Sequence, residues 1–307
     1  MKQHFISLKY LSQKRIDSLL ALACKVKKNP QHFSQALQGK TVGLLFEKPS
    51  LRTKASFDVG ATQLGAHALY FGPDEVKLGK REAISDVAKT LSRYIHCVVL
   101  RTFSQNLIVN FARDATIPVV NGLSDLIHPS QVLGDIFTLN ELRGDLKKIQ
   151  CVYMGDGNNV CHSLIYAFSI LGGNLRVVTP SVYQPRKEIL REATQFAKKS
   201  GATITLLNDP LRGAKGADVL YTDVWVSMGE EKEQKKRLAI FKPYQVNKRI
   251  VNCAKKGCLI MHCLPAHRGE EITDSVLDSK NSIVFQQAEN RLHAAKAILL
   301  SLLGGIQ

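Results

Sequence analysis

The sequence predicts an α/β protein of two doubly wound domains, each a mainly parallel sheet flanked by helices, joined by interdomain helices. Three observations predict it. Short apolar runs without polar alternation recur along the chain, as parallel strands buried on both faces require. Helical patterns separate them, the arrangement that gives parallel sheets with right-handed crossovers. The chain has 307 residues, too many for one comfortable core and suited to two.

Strands are expected over 41–46, 68–71, 97–101, 118–120, 149–154, 175–178, 203–206, 219–222, 258–261 and 283–285. Helices are expected over 52–64, 83–93, 131–143, 163–171, 185–199 and 289–303. The 131–143 pattern ends at Gly144 and a charged stretch, Asp145-Leu146-Lys147-Lys148, follows. The boundary is expected there, giving domains over 1–143 and 144–287, with the last helix in 288–307 packing back on the first. Ligands of such open sheets bind beyond the carboxyl ends of the strands, so those loops are where chemistry is sought.

Composition narrows the class. An apolar share of 45% with 22% charged residues is that of a folded protein. Lys and Arg number 42 against 26 Asp and Glu, a formal net charge of +16. The cations form only short clusters, such as Lys235-Lys236-Arg237, and aromatic residues are not interleaved with them. A specific nucleic-acid partner would need such a stacking platform; a small anionic substrate suits the sign equally well. Seven cysteines, an odd number without paired spacing, point to reduced thiols in the cytoplasm. Cys253, Cys258 and His262-Cys263 cluster, but none forms the C-x-x-C knuckle of a metal site, and no metal is expected. The first residues lack the apolar core of a signal peptide, and no apolar stretch reaches transmembrane length, so no membrane partner is expected.

The first strand runs into Phe46-Glu47-Lys48-Pro49-Ser50-Leu51-Arg52-Thr53-Lys54 and then a helix. Pro49 ends the strand, Ser50 is a good N-cap, and free backbone N–H groups converge there with the helix dipole, hydroxyls and cations. That is a complete anion site, in which Arg52 can grip two oxygens at once. The alternative is a capped helix with surface charges. Arg101 follows the third strand, His128-Pro129-Ser130-Gln131 opens the boundary helix, and Arg291 lies near the start of the last helix. Each alone is weak: a solvated strand end, a structural histidine, a helix-surface charge.

Together, Ser-x-Arg-Thr at a helix start, Arg after the third strand and His-Pro-Ser-Gln resemble the carbamoyltransferase family, and the likeness runs along nearly the whole chain. It implies that Ser50, the Leu51 amide, Arg52 and Thr53 hold the phosphate of carbamoyl phosphate. Arg101 and His128 would polarise the carbonyl oxygen, Gln131 would hold the carbamoyl nitrogen, and Arg101 would steady the departing phosphate. The stretch Gln286-Gln287-Ala288-Glu289-Asn290-Arg291-Leu292-His293 matches the family's ending and carries Arg291 into the same site.

The second half indicates the acceptor. Asp223-Val224-Trp225-Val226-Ser227-Met228-Gly229 is similar to the loop with which ornithine carbamoyltransferases close over ornithine. The resemblance implies that Asp223, Ser227, Met228 and Asn159 bind the amino-acid end of L-ornithine. Asn159 belongs to Gly155-Asp156-Gly157-Asn158-Asn159, where Val160 replaces the third glycine of a dinucleotide fingerprint, so a nicotinamide enzyme is a poor alternative. His262-Cys263-Leu264-Pro265 pairs a thiol with a histidine, but neighbours on an extended chain point opposite ways. In the family this motif orients the amine and carbamoyl group without a covalent step, which implies that role for Cys263 and Leu264.

The family's reaction uses no metal, nucleotide or redox cofactor, and its members form trimers, which implies a homotrimer or a multiple of one. Two departures stand out. Leu51 and Lys54 replace the Thr and Arg of the common Ser-Thr-Arg-Thr-Arg, and Lys77 stands where members carry Gln or His reaching a neighbouring subunit's site. Rival readings are a carbamoyltransferase using putrescine or an N-acylated ornithine, or an inactive basic homologue that binds nucleic acid.

Overall fold

The computed structural model describes residues 3–76, 78, 79, 81–227, 229 and 231–304. It divides into two compact units, one comprising the chain to Phe137 and again from Glu289, the other Thr138–Ala288. Each unit is an α/β layer structure with an all-parallel sheet.

The first sheet has the order β2-β1-β3-β4, formed by His67–Phe71, Thr41–Phe46, Cys97–Arg101 and Val119–Leu123. β3 is buried throughout and β1 nearly so, because helices cover both faces. Helices Leu51–Gln63, Ile84–Tyr94 and Gln105–Asp114 connect successive strands. The order reverses at β1 and β3, and there the carboxyl ends meet, with Phe46 paired to Arg101. Leu45, Val98, Leu100, Ile108 and Phe111 form the core beneath them.

The second sheet has the order β7-β6-β5-β8-β9, formed by Thr203–Leu207, Asn174–Val178, Gln150–Met154, Val219–Thr222 and Leu259–His262. Its reversal lies between β5 and β8, where Met154 pairs with Thr222, and Thr222 in turn with His262. Asn158 caps the Asn159–Leu171 helix by accepting from the N–H groups of Val160 and Cys161. Gly157 is needed beneath it, since a Cβ there would stand 2.4 Å from the Pro185 nitrogen. Aromatic and aliphatic groups including Trp225, Phe241, Tyr244 and Ile260 make the core on one face.

Nine of the ten expected strands are present, with ends displaced by at most a few residues. The tenth is a correction. Residues 283–285 do not form a strand: Ser282 makes a single bridge to Ile260, and the helix Val284–Leu303 then begins. The Ile283-Val284-Phe285 run is apolar because Val284 packs into the core as the helix starts, while Phe285 is exposed. Helices Gln13–Lys28 and Gln105–Asp114 are additional to those expected, each capped by a serine whose hydroxyl accepts a backbone N–H.

Candidate active site

Two constellations of polar groups lie at the two points where strand order reverses. In the first unit, Ser50 takes an extended conformation and its hydroxyl accepts the Thr53 N–H at 3.1 Å, starting the Leu51–Gln63 helix. Leu51 is left largely exposed and Arg52 half-buried, while Thr53 is buried and its Oγ1 accepts from Arg291 Nη2 at 2.9 Å. Arg101, at the end of β3, is 6% exposed and its Nε is buried without a hydrogen-bond partner. Burial, and then the like charges of Arg291 and Arg52, bring the Arg101 guanidinium down to about 10. His128 is buried before the Pro129–Arg143 helix, and burial followed by Arg291 and Arg101 holds it well below its usual 6.5. The sequence-predicted Arg52, Arg101, His128 and Arg291 thus act on one another electrostatically. Arg52, Arg101 and Arg291 form a concentration of positive charge at a helix N-terminus, which an oxyanion relieves, with His128 held neutral beside them. Gln131 is buried on the first turn after His128, and its Nε2 donates to Asp135 Oδ1 at 2.9 Å.

In the second unit, Asp223 follows β8 and is buried. Its Oδ1 accepts the Cys263 thiol at 2.8 Å and the Val224 N–H at 2.8 Å, and its Oδ2 accepts Asn158 Nδ2 at 2.7 Å. Tyr153 donates to Asn158 Oδ1 at 3.2 Å. Burial, and after it the Asp223 charge, raise the phenol well above 10, so it stays a donor. At the end of β9, His262 and Cys263 do not diverge as expected of neighbours on an extended chain: a ring nitrogen of His262 and the Cys263 thiol lie within 4.8 Å of each other. The His262 Nδ1 accepts the Leu264 N–H at 2.9 Å and its Nε2 lies 2.9 Å from Glu271 Oε1, a fully buried pair. Leu264 has a φ of +57°, and the bond from its N–H to His262 holds that conformation.

Asn159 and Ser227 are half-buried, on the first turn of the 159–171 helix and on the loop after β8. Lys77 and Met228 lie outside the described residues. Asp223, His262 and Cys263 have atoms within 4.8 Å of one another and are each engaged in the hydrogen bonds above, whereas Cys253 and Cys258 do not join them. None of the seven cysteines forms a disulfide. No helix among the described residues is long and apolar enough to cross a membrane.

Family comparison matches residues 3–141 to the carbamoyl-P binding domain of aspartate/ornithine carbamoyltransferase, and residues 147–302 to its Asp/Orn binding domain. The chain belongs to the aspartate/ornithine carbamoyltransferase family. An ornithine carbamoyltransferase of Archaeoglobus fulgidus is 48% identical over 304 residues, 98% of each chain. One from Pyrococcus horikoshii is 50% identical over 271 residues, 88% of this chain and 86% of its own. The solved ornithine carbamoyltransferase of Pyrococcus furiosus superposes with a TM-score of 0.96 at 45% identity, covering 99% of this chain and 98% of that one.

Several residues that support this carbamoyltransferase constellation escape the sequence reading. Asn158 holds Asp223 directly, and the signal was its place before an apolar helix, where an Asn is a cap. Arg237, 3% exposed, donates to Asp156 Oδ2 and to the Trp225 carbonyl, each at 2.6 Å, and its guanidinium lies 4.4 Å from the Tyr183 ring centre. It therefore ties the loop of Asp156 to the loop of Trp225. Lys48 is buried, pairs with Asp125 and lies over the Phe103 ring at 4.0 Å, joining the loops after β1, β3 and β4. Lys54, the departure from the usual arginine, places its ammonium over the Tyr70 ring at 3.6 Å.

Proposed function

We propose that this protein transfers the carbamoyl group of carbamoyl phosphate to the δ-amine of L-ornithine, giving L-citrulline and phosphate. The observation that carries the reading is the pairing of two opposite charge environments on one family scaffold. A cluster of buried and half-buried guanidiniums surrounds a helix N-terminus in one unit, and a buried, hydrogen-bonded carboxylate follows β8 in the other. The first suits a dianionic acyl donor and the second an amino acid's ammonium.

Ser50, the Leu51 N–H, Arg52, Thr53 and Arg291 hold the phosphate in this reading. Arg101 and His128 donate to the carbamoyl oxygen, and Gln131 accepts from its NH2. Asp223 and Asn159 receive the amino-acid end of ornithine with Ser227 and Met228, and Cys263 and the Leu264 carbonyl orient the δ-amine. An alkylamine of pKa about 10.4 is only about one part in a thousand neutral near pH 7.4, so the neutral form is selected. Its nitrogen bonds to the carbamoyl carbon, the carbonyl oxygen gains negative charge, and collapse breaks the bond to the phosphate oxygen. The excess amine proton leaves with phosphate or solvent. Preset cations around the developing charges provide the dominant electrostatic stabilisation, and orientation of small reactants adds to it. Metal, nucleotide and redox cofactors have no part in these steps.

The active form is a homotrimer or a multiple of one, with Lys77 reaching a neighbouring subunit's phosphate. The location is cytoplasmic, in keeping with seven cysteines that form no disulfide. Sedimentation of the purified chain tests the first of these. Incubation with carbamoyl phosphate and ornithine tests the activity: citrulline and phosphate formed one to one support it, and phosphate release without citrulline contradicts it.

A further inference from the structure

We propose that Asp135 is the positioning residue that sets donor selectivity, by fixing which end of the Gln131 amide faces the acyl group. This deepens the donor reading above and rests on it. Gln131 and Asp135 are four residues apart on the Pro129–Arg143 helix, so their side chains share one face. Both are buried, at 1% and 0% exposure. An amide can present either a carbonyl oxygen or an NH2 group, two ends of almost the same shape and opposite chemistry. A carboxylate only accepts, so the bond from Gln131 Nε2 to Asp135 Oδ1 commits the NH2 end to the helix and turns Oε1 outward.

The helix that carries the pair is itself held. A Cβ added to Gly134 would come within 3.3 Å of Arg291 Cα and Cγ, so the turn between Gln131 and Asp135 packs directly on the residue that also grips Thr53. The outward Oε1 therefore keeps a set position relative to the guanidiniums. A carbamoyl group offers it an N–H donor. An acetyl group of nearly the same size offers a methyl, which leaves that oxygen without its hydrogen bond, so the two are told apart where size alone would not separate them. Selectivity for carbamoyl over acetyl phosphate thus originates one helical turn away from the donor.

The test is calorimetric titration of the full chain with two unreactive donor mimics, phosphonoacetamide and phosphonoacetone, which differ only by NH2 against CH3. The native protein binds the amide about tenfold more tightly, the worth of one buried hydrogen bond. Asp135→Asn supplies an amide that can donate to Gln131 Oε1 and reverse it. The preference then falls below about threefold, while phosphonoacetone affinity changes less than about twofold. An unchanged preference, or parallel weakening of both ligands, overturns the proposal. If Asp135→Asn does not fold, Asp135→Ser serves with the same criteria. In a Gln131→Met background, Asp135→Asn has no further effect on the preference, and a further loss there also overturns it. Native protein that binds neither mimic overturns the donor reading and this proposal with it. Native protein that binds both while Asp135→Asn keeps the preference overturns this proposal alone.

Discussion

The Cys263 thiol donates to Asp223 Oδ1 at 2.8 Å, which joins the loop after β9 to the loop after β8 through a single buried carboxylate. Asn158 completes the arrangement from the loop after β5, at 2.7 Å to the other oxygen. Three strand ends thereby share one anion, held in a fixed orientation before any ligand arrives. Preset geometry of this kind lowers the ordering cost of binding.

Replacing Asn158 with alanine removes both the cap and the bond to Asp223. Expected is a rise in the KM for ornithine of about tenfold or more, the effect of one charge-assisted hydrogen bond, with the KM for carbamoyl phosphate little changed. Steady-state kinetics with each substrate varied in turn checks this. Equal changes in both constants would contradict a local role.

Arg237 is the structural counterpart. Its Nη2 and Nε tie Asp156 to Trp225, and removing it strands a carboxylate of low exposure. Arg237→Met is expected to destabilise the second unit by about 3–5 kcal/mol, because a buried charge loses its partner. Arg237→Lys recovers part of this, lacking the planar fork. Urea unfolding followed by fluorescence of Trp225 measures both, and losses below about 1 kcal/mol would contradict the clamp.

How much of this was legible in the sequence differs by level. The strand ends were, because Thr41–Phe46 and Val219–Thr222 are apolar runs bounded by turn or polar residues, and the loops that follow hold Ser50 and Asp223. Phe285 shows the limit: an apolar triplet reads as a strand until a bridge of one residue and a helix replace it. The supporting pairs were not legible. Asp125 is 77 residues from Lys48, and Arg237 is 81 from Asp156, so only the folded sheet brings them together. Lys54 was visible as a departure, but its partner Tyr70 lies on the neighbouring strand β2.

His128 titrates far below its usual value because it is buried beside Arg291 and Arg101. The folded protein therefore binds fewer protons than the unfolded chain as pH falls below about 6.5, the unfolded value. Stability contributed above 6.5 is lost progressively on acidification, by up to about 1.4 kcal/mol per pH unit until the folded value is reached. Thermal melts between pH 7.5 and 5 check this, with His128→Asn expected to show a shallower decline. The same slope in both proteins would contradict it.

Arg101 provides a matching alkaline limit. With its guanidinium brought down to about 10, the unliganded site loses a cation above that pH. Phosphonoacetamide binding is expected to weaken up to tenfold per pH unit above about 10, in titrations carried out while the protein remains folded. An affinity constant to pH 11 would mean that Arg101 does not meet the donor in its charged form.

Acceptor competition distinguishes the proposed carbamoyl transfer to ornithine from its alternatives. Carbamoyl phosphate is offered with equal concentrations of ornithine, putrescine, N-acetylornithine and aspartate, and each carbamoylated product is resolved by mass. Citrulline is the expected dominant product, because in the proposed arrangement Asp223 and its neighbours receive the free amino-acid end that putrescine and N-acetylornithine lack. Dominance of carbamoylputrescine or of the acetylated product would contradict the assignment of the acceptor. No product with any of the four would contradict the transferase itself.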